Sequence, residues 1–335
     1  MGTESRRRKV TVEDLVGHSG VSRSSVFRYF QGKPLRPALR EALETAISHL
    51  EGVTPRSGFV QEVLVSMTPG GARFEGFAQV VDGLMERLSQ VGGKVRLVAG
   101  AADLPRAASP GVGVLILGKN CSEEESEASQ LEAAGIPFVL INRLLPHTRW
   151  SSVGIDNRRA AAEAVGGLID RGHRRIGLWT EGEAVNRNVA DKVLGFRDAF
   201  QKRGLAVPED WLFHRADGEF QDLQGRLWNN GERPTAWFAL DDDFALQVMK
   251  QARNAGLKVP QDLAVIGFND LESSHYSSPS LTSIHVPFRR FGTDAVEVLE
   301  ALMRDPGRQS IQWILKHQLI ERESTDSSQK QGESL

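Results

Sequence analysis

A chain of 335 residues exceeds one ordinary domain and implies two or three. Its hydrophobic content of 40% is ample for buried cores, yet no apolar run approaches the ~18 residues that a membrane span needs. The net charge of −2 conceals a split, because residues 1–56 carry ten Lys/Arg against six Asp/Glu while the remainder nets −6. A basic head on an acidic body suits affinity for polyanions confined to one end. The charged start is unlike an apolar secretory leader, so a cytoplasmic chain is expected. The single cysteine, Cys121, excludes an intramolecular disulfide and reads as a bystander thiol.

The run Arg6, Arg7, Arg8, Lys9 fits a disordered arm over phosphates and a solvated terminus equally well. From Val10 to Phe30, VTVEDLVGHSGVSRSSVFRYF predicts a short helix, a tight turn and a second short helix. Thr11 with Asp14 three residues on is a capping-box start. Val12, Leu15 and Val16 make one apolar face. Gly20 sits where the chain reverses, and Ser22 caps a second helix whose Val26 faces Leu15. Arg23, Ser24, Ser25 and Arg28 are then left outside, near the end of the helix that reaches base edges and phosphates when such a motif docks on DNA. A small surface hairpin with solvated arginines is the alternative. A third helix follows over Pro37–Leu50, and the segment EGVTPRSGFVQE reads as a linker.

The body, about residues 58–322, alternates strand-like and helix-like stretches. Strands are predicted at Val60–Met67, Val95–Ala99, Val112–Leu117, Pro137–Ile141, Ile176–Trp179, Thr235–Leu240 and Leu263–Phe268. Helices are predicted at Phe74–Val91, Arg158–Arg171, Val189–Arg203 and Phe244–Ala255. Such alternation argues parallel sheets with helices on both faces, and the pattern runs twice, before and after about Gly154. Two doubly wound halves place a ligand cleft between the carboxyl ends of their strands.

No catalytic constellation stands out. GVLILGKN over Gly113–Asn120 lacks the Ser or Thr of a phosphate loop and has a strand-like interior. GHSG lacks the second spacer of a nucleophile elbow. The eight histidines show no zinc-type spacing, so no metal or cofactor is expected. Asp241, Asp242 and Asp243 form an acidic run open to a cation, although consecutive carboxylates rarely all converge; the plainer alternatives are that Asp242 and Asp243 only cap the next helix and that Asn269 and Asp270 only shape a turn.

The head VTVEDLVGHSGVS, the segments GIDNRRAAAEAVGGLIDRGHRRIGLW and LGFRDAFQKRGL, the phrase RPTAWFALDDDFALQVMKQARNAGLKVPQDLAVIGFND, then SPSLTSIHVPFRRFG and QLIERES, resemble the LacI/GalR family of bacterial transcriptional regulators in the family's own order. The resemblance covers nearly the whole chain to about Ser324. It implies an all-α helix-turn-helix head, residues 1–56, on an α/β core of periplasmic-binding-protein (type I) architecture, residues 57–324. The core would comprise an N-subdomain of about 58–153 plus 286–310 and a C-subdomain of about 155–284 plus 311–323. Beyond it the polar tail 325–335 is expected to be disordered. The resemblance implies a homodimer on double-stranded operator DNA, controlled allosterically by a small effector, a sugar or related polar metabolite.

Carried over by position, the resemblance puts Arg23 and Ser24 at base-reading places and Ser25 and Arg28 at DNA contacts; the caps Thr11 and Ser22 complete that set. It puts Phe77, Asn142, Lys192, Phe220, Asp241 and Asn269 at effector positions. Lys192 stands where the family usually has arginine, and a lysine offers a point charge without the planar fork. Phe27 and the pair Tyr29–Phe30 also depart from the pattern; VSRSSVFRYF looks like a TetR-type recognition helix, although that family has a longer preceding helix and a different body. The linker contains nothing like the family's hinge helix, and GAADLPRAASPG is shorter than the family's connection. The competing reading is a cytoplasmic small-molecule sensor with weak or lost DNA binding.

Overall fold

A computed structural model describes residues 11–30, 35–50, 60–67, 76–90, 92–99, 109–118, 120–144, 149–180, 187–214 and 233–326. The chain divides into two compact units, Met1–Phe59 and Val60–Leu335.

In the first unit, α1 (Val12–Ser19), α2 (Arg23–Phe30) and α3 (Pro37–Leu50) enclose a small core of Leu15, Val21, Val26, Leu43 and Ala46. The predicted entry to α1 forms as a complete capping box between Thr11 and Asp14. Gly20 ends that helix at φ 66°, a left-handed conformation natural to glycine. Ser22 precedes α2 and accepts from the Ser25 amide at 3.4 Å. Of the aromatics in α2, Tyr29 packs on this core and lies under Arg40 of α3, whereas Phe27 stays 47% exposed.

The second unit contains two six-stranded sheets. The first has the order β11 (Gln312–Leu315), β5 (Ser152–Ile155), β4 (Phe138–Ile141), β3 (Val112–Ile116), β1 (Glu62–Ser66), β2 (Lys94–Val98), all parallel. The second has the order β12 (Gln318–Ile320), β10 (Thr282–His285), β9 (Ala264–Asn269), β8 (Ala236–Phe238), β6 (Ile176–Thr180), β7 (Leu212–His214), parallel except for the β10–β12 pair. Central strands such as β3, β4 and β9 are buried along their whole length, which explains their unbroken apolar composition.

Helices α4 (Phe77–Ser89) and α10 (Phe288–Arg304) pack together on the first sheet; α6 (Asn157–Asp170) and α7 (Arg187–Gln201) pack together on the second. Glycines let these backbones meet closely, for a Cβ on Gly83 would overlap the Arg289 carbonyl oxygen and one on Gly292 the Val80 carbonyl oxygen. Among the described residues the other α-helices are α5 (Cys121–Ala133), α8 (Asp242–Asn254) and α9 (Glu272–Tyr276).

Two expectations need correction. Residues 312–315 pair with β5 in the first sheet, so the chain makes its last crossing after Leu315, not before residue 311. A parallel edge on β5 remained open for them. Thr325 is not part of a loose tail: it is buried, its hydroxyl 2.8 Å from that of Thr282, next to Ser324 bonded to the Val265 carbonyl. The linker 51–59, the connection 100–108, and the tail beyond Asp326 lie outside the described residues.

Candidate functional site

Two surfaces carry the side chains singled out from the sequence. On the head, Ser22, Arg23, Ser24 and Arg28 are exposed together along α2, and Ser25 is half-buried. Thr11 is engaged in its cap, with its hydroxyl 2.7 Å from Asp14 Oδ2. The Ser22 hydroxyl lies 3.0 Å from those of both Ser24 and Ser25. Arg23 extends toward α1, its Nη2 3.0 Å from Glu13 Oε1.

The second surface lies where strands of the core end. Asn142 follows β4 at φ 57° and is buried, its amide donating to the Val153 carbonyl at 2.7 Å. Its Oδ1 is 3.4 Å from Nδ2 of Asn157, the first residue of α6. Asn157 is 1% exposed, and its own Oδ1 has no hydrogen-bond partner. Lys192 on α7 is buried, donates from Nζ to the Leu240 carbonyl at 2.6 Å and sits 3.8 Å above the Phe268 ring. Leu240 lies two residues past β8, and Phe268 precedes Asn269 at the end of β9, so this lysine sits just beyond two strand ends. Phe77, the first residue of α4, packs partly buried on the main core. Phe220 lies outside the described residues.

Asp241 is the N-cap of α8, accepting from the Phe244 amide at 2.7 Å. The cap therefore falls on Asp241, one residue before Asp242. Asp242 is instead fully buried, accepting from the Ser283 hydroxyl at 2.5 Å and the Leu271 amide at 2.7 Å. Burial pushes its carboxyl upward against those bonds. They hold the turn in which Asn269 and Asp270 adopt φ of 116° and 56°. Asp270 accepts from Arg322 Nη2 at 2.6 Å, with His285 Nδ1 3.0 Å away. Burial raises its carboxyl, but these partners outweigh it and hold it below the usual range.

Charged groups that the sequence did not single out tie the halves together. Arg143, next to Asn142, is buried against Glu124 of α5 at 2.7 Å. Burial raises the Glu124 carboxyl, with Arg143 opposing. Its neighbour Glu125 meets Arg187 of α7 at 2.9 Å, a contact between one subdomain and the other. One turn further, Asp191 is pushed upward by burial, with Arg187 opposing. The Arg187–Asp191 spacing of four was the one signal available in the sequence. Together with the Asn142–Asn157 contact, this brings elements that follow strand carboxyl ends in both sheets face to face.

Known proteins share this architecture. The model of a periplasmic binding protein-like domain matches residues 165–325. Catabolite control protein A of Priestia megaterium is 32% identical over 218 residues, a match spanning 64% of this chain and 64% of that relative, just under two thirds of each. The transcriptional regulator CelR of Thermobifida fusca is 27% identical over 95% of this chain and 99% of its own, head and core together. Head and core together, the chain is similar to regulators of the LacI/GalR type. A solved CelR–cellobiose complex matches 94% of this chain and all of that one, with a TM-score of 0.69 at 26% identity. Among the described residues, no helix is long and apolar enough to cross a membrane.

Proposed function

We propose that the chain is a cytoplasmic, non-enzymatic transcriptional regulator, a homodimeric repressor whose operator affinity is set by a small polar effector. The observation that carries this reading is the pairing of a helix-turn-helix head exposing Arg23, Ser24 and Arg28 with a core that holds Asn142 against Asn157 past the first sheet's strands and Lys192 on Phe268, next to Asn269, at a strand end of the second. Arg23 supplies a fork for a guanine edge and Arg28 a phosphate contact, with Ser22, Ser24, Ser25 and Thr11 around them. In the core, the amides of Asn142, Asn157 and Asn269 and the ammonium of Lys192 suit hydroxyl groups of a sugar or related metabolite. Asp241 and Phe77 join this set, and Phe220, outside the described residues, is assigned to it by the resemblance alone. Effector binding shifts the open–closed equilibrium of the subdomains and so the operator affinity.

Met85 on α4 and Leu97 on the edge strand β2, each about half exposed, offer apolar area to a second copy. With only EGVTPRSGFVQE between head and core, coupling passes through the geometry of that dimer.

The test is titration of the purified protein against its own upstream DNA at two salt concentrations, with an unrelated duplex of equal length and with cellobiose as first effector probe. Selective, salt-weakened binding supports the regulator. Arg23→Ala should relax base preference, and Arg28→Ala should flatten the salt slope by about 0.9. Equal or absent binding to both duplexes would favour the sensor without operator binding.

A further inference from the structure

Arg23 occupies a position that its own helix does not favour. It is the first residue of α2, where the helix dipole opposes a cation, and α2 has no acid in its first turn. The compensating charge comes from α1. Of the two acids in the first turn there, Asp14 is committed to the Thr11 cap, which fixes that turn, and Glu13 reaches across to Arg23 Nη2 at 3.0 Å. Both side chains remain about two-thirds exposed, at 68% and 67%, on the face that also presents Ser24. A carboxylate there repels phosphate oxygens, so it lowers affinity for every duplex alike.

We infer that Glu13 is a specificity-determining residue of the DNA-binding face, aiming the Arg23 guanidinium so that the pair reads one G·C base pair as a unit. This rests on the DNA-binding reading above. The guanidinium donates to guanine O6 and N7, and the carboxylate accepts from the cytosine N4 amino group, complementary edges of one base pair. Holding Arg23 in one direction removes rotamers that would otherwise be frozen on docking. The carboxylate gives up general affinity for phosphates and gains discrimination between bases.

Selection of the full-length protein on a random duplex library, followed by affinity measurements on single-base variants of the selected site, tests the inference. The proteins compared are wild type, Glu13→Gln, Arg23→Lys and the double variant. Wild type should select a guanine at one position per half-site. Glu13→Gln should bind unrelated duplexes more tightly and lose at least about fivefold in discrimination at that position. Arg23→Lys keeps the charge without the fork and should lose the same position, the double variant losing no more.

If Glu13→Gln lowers the melting temperature but selects the same site with undiminished discrimination, the pair is only a clamp between helices and the inference is overturned. A wild-type protein that selects no sequence would instead overturn the DNA-binding reading on which it rests.

Discussion

Arg187 at the start of α7 and Glu125 on α5 stand 2.9 Å apart, one in each core subdomain, so separating the subdomains breaks the contact. Both side chains are more than a third exposed, at 36% and 56%, and solvent screening limits such a pair to about 1 kcal/mol or less. Arg187→Ala and Glu125→Gln should each weaken effector affinity by no more than about fivefold, with the double variant losing no more than either. Calorimetric titration of the four proteins measures this. Fully additive losses would mean that the two residues act separately.

Lys192 carries a buried charge on a backbone carbonyl and an aromatic face. In Lys192→Met, removal of that charge and the loss of a donor to the Leu240 carbonyl oppose each other, leaving stability within about 1 kcal/mol. Effector affinity should fall at least about tenfold. A large drop in melting temperature with affinity intact would make the lysine a structural strut and remove it from the site.

Gly83 lies against the backbone of α10. Gly83→Ala forces α4 and α10 apart and should cost roughly 3 kcal/mol in urea unfolding, against the gain that alanine brings to an isolated helix. Unfolding at wild-type urea concentrations would show that the two helices tolerate a wider spacing.

The carboxyl of Asp270 is held below its ordinary value of 3.8, because His285 and Arg322 outweigh its burial. Its folded form therefore keeps fewer protons than its unfolded form in acid. Its stabilisation is complete above about pH 4 and is lost as the pH falls from there through the lower folded value. Asparagine tolerates the same left-handed backbone, so Asp270→Asn isolates the charge. The variant should be less stable by about 1–3 kcal/mol at pH 7, with the gap narrowing at pH 3. Denaturant titrations at the two pH values decide it; a constant gap would assign the effect to shape.

The strands that the sequence revealed are those buried on both faces, such as β3, β4 and β9, whose apolar runs leave little ambiguity. α5 escaped because its inward positions include Glu124 and Glu127, bonded to Arg143 and Ser66, so its apolar period vanishes. β5, β7, β10 and β12 are short runs of mixed polarity, and β11 joins a sheet whose other strands lie more than 150 residues earlier. At the site, the strand-end positions of Asn142 and Asn269 were legible. Lys192 came from family resemblance alone. The Arg187–Glu125 contact, between residues 62 apart, had no local trace.

The late return of the chain to its first sheet has a consequence for synthesis. About 200 residues separate α4 from α10, so at ribosomal speed the inner face of α4 waits roughly 10–40 s for its cover. During that interval Val80, Leu84 and Leu88, buried in the finished protein, are open to chaperones or to other nascent chains. A message truncated before the codon for Gln312 would not yield a clean single lobe, since it strips one edge strand from each sheet at once.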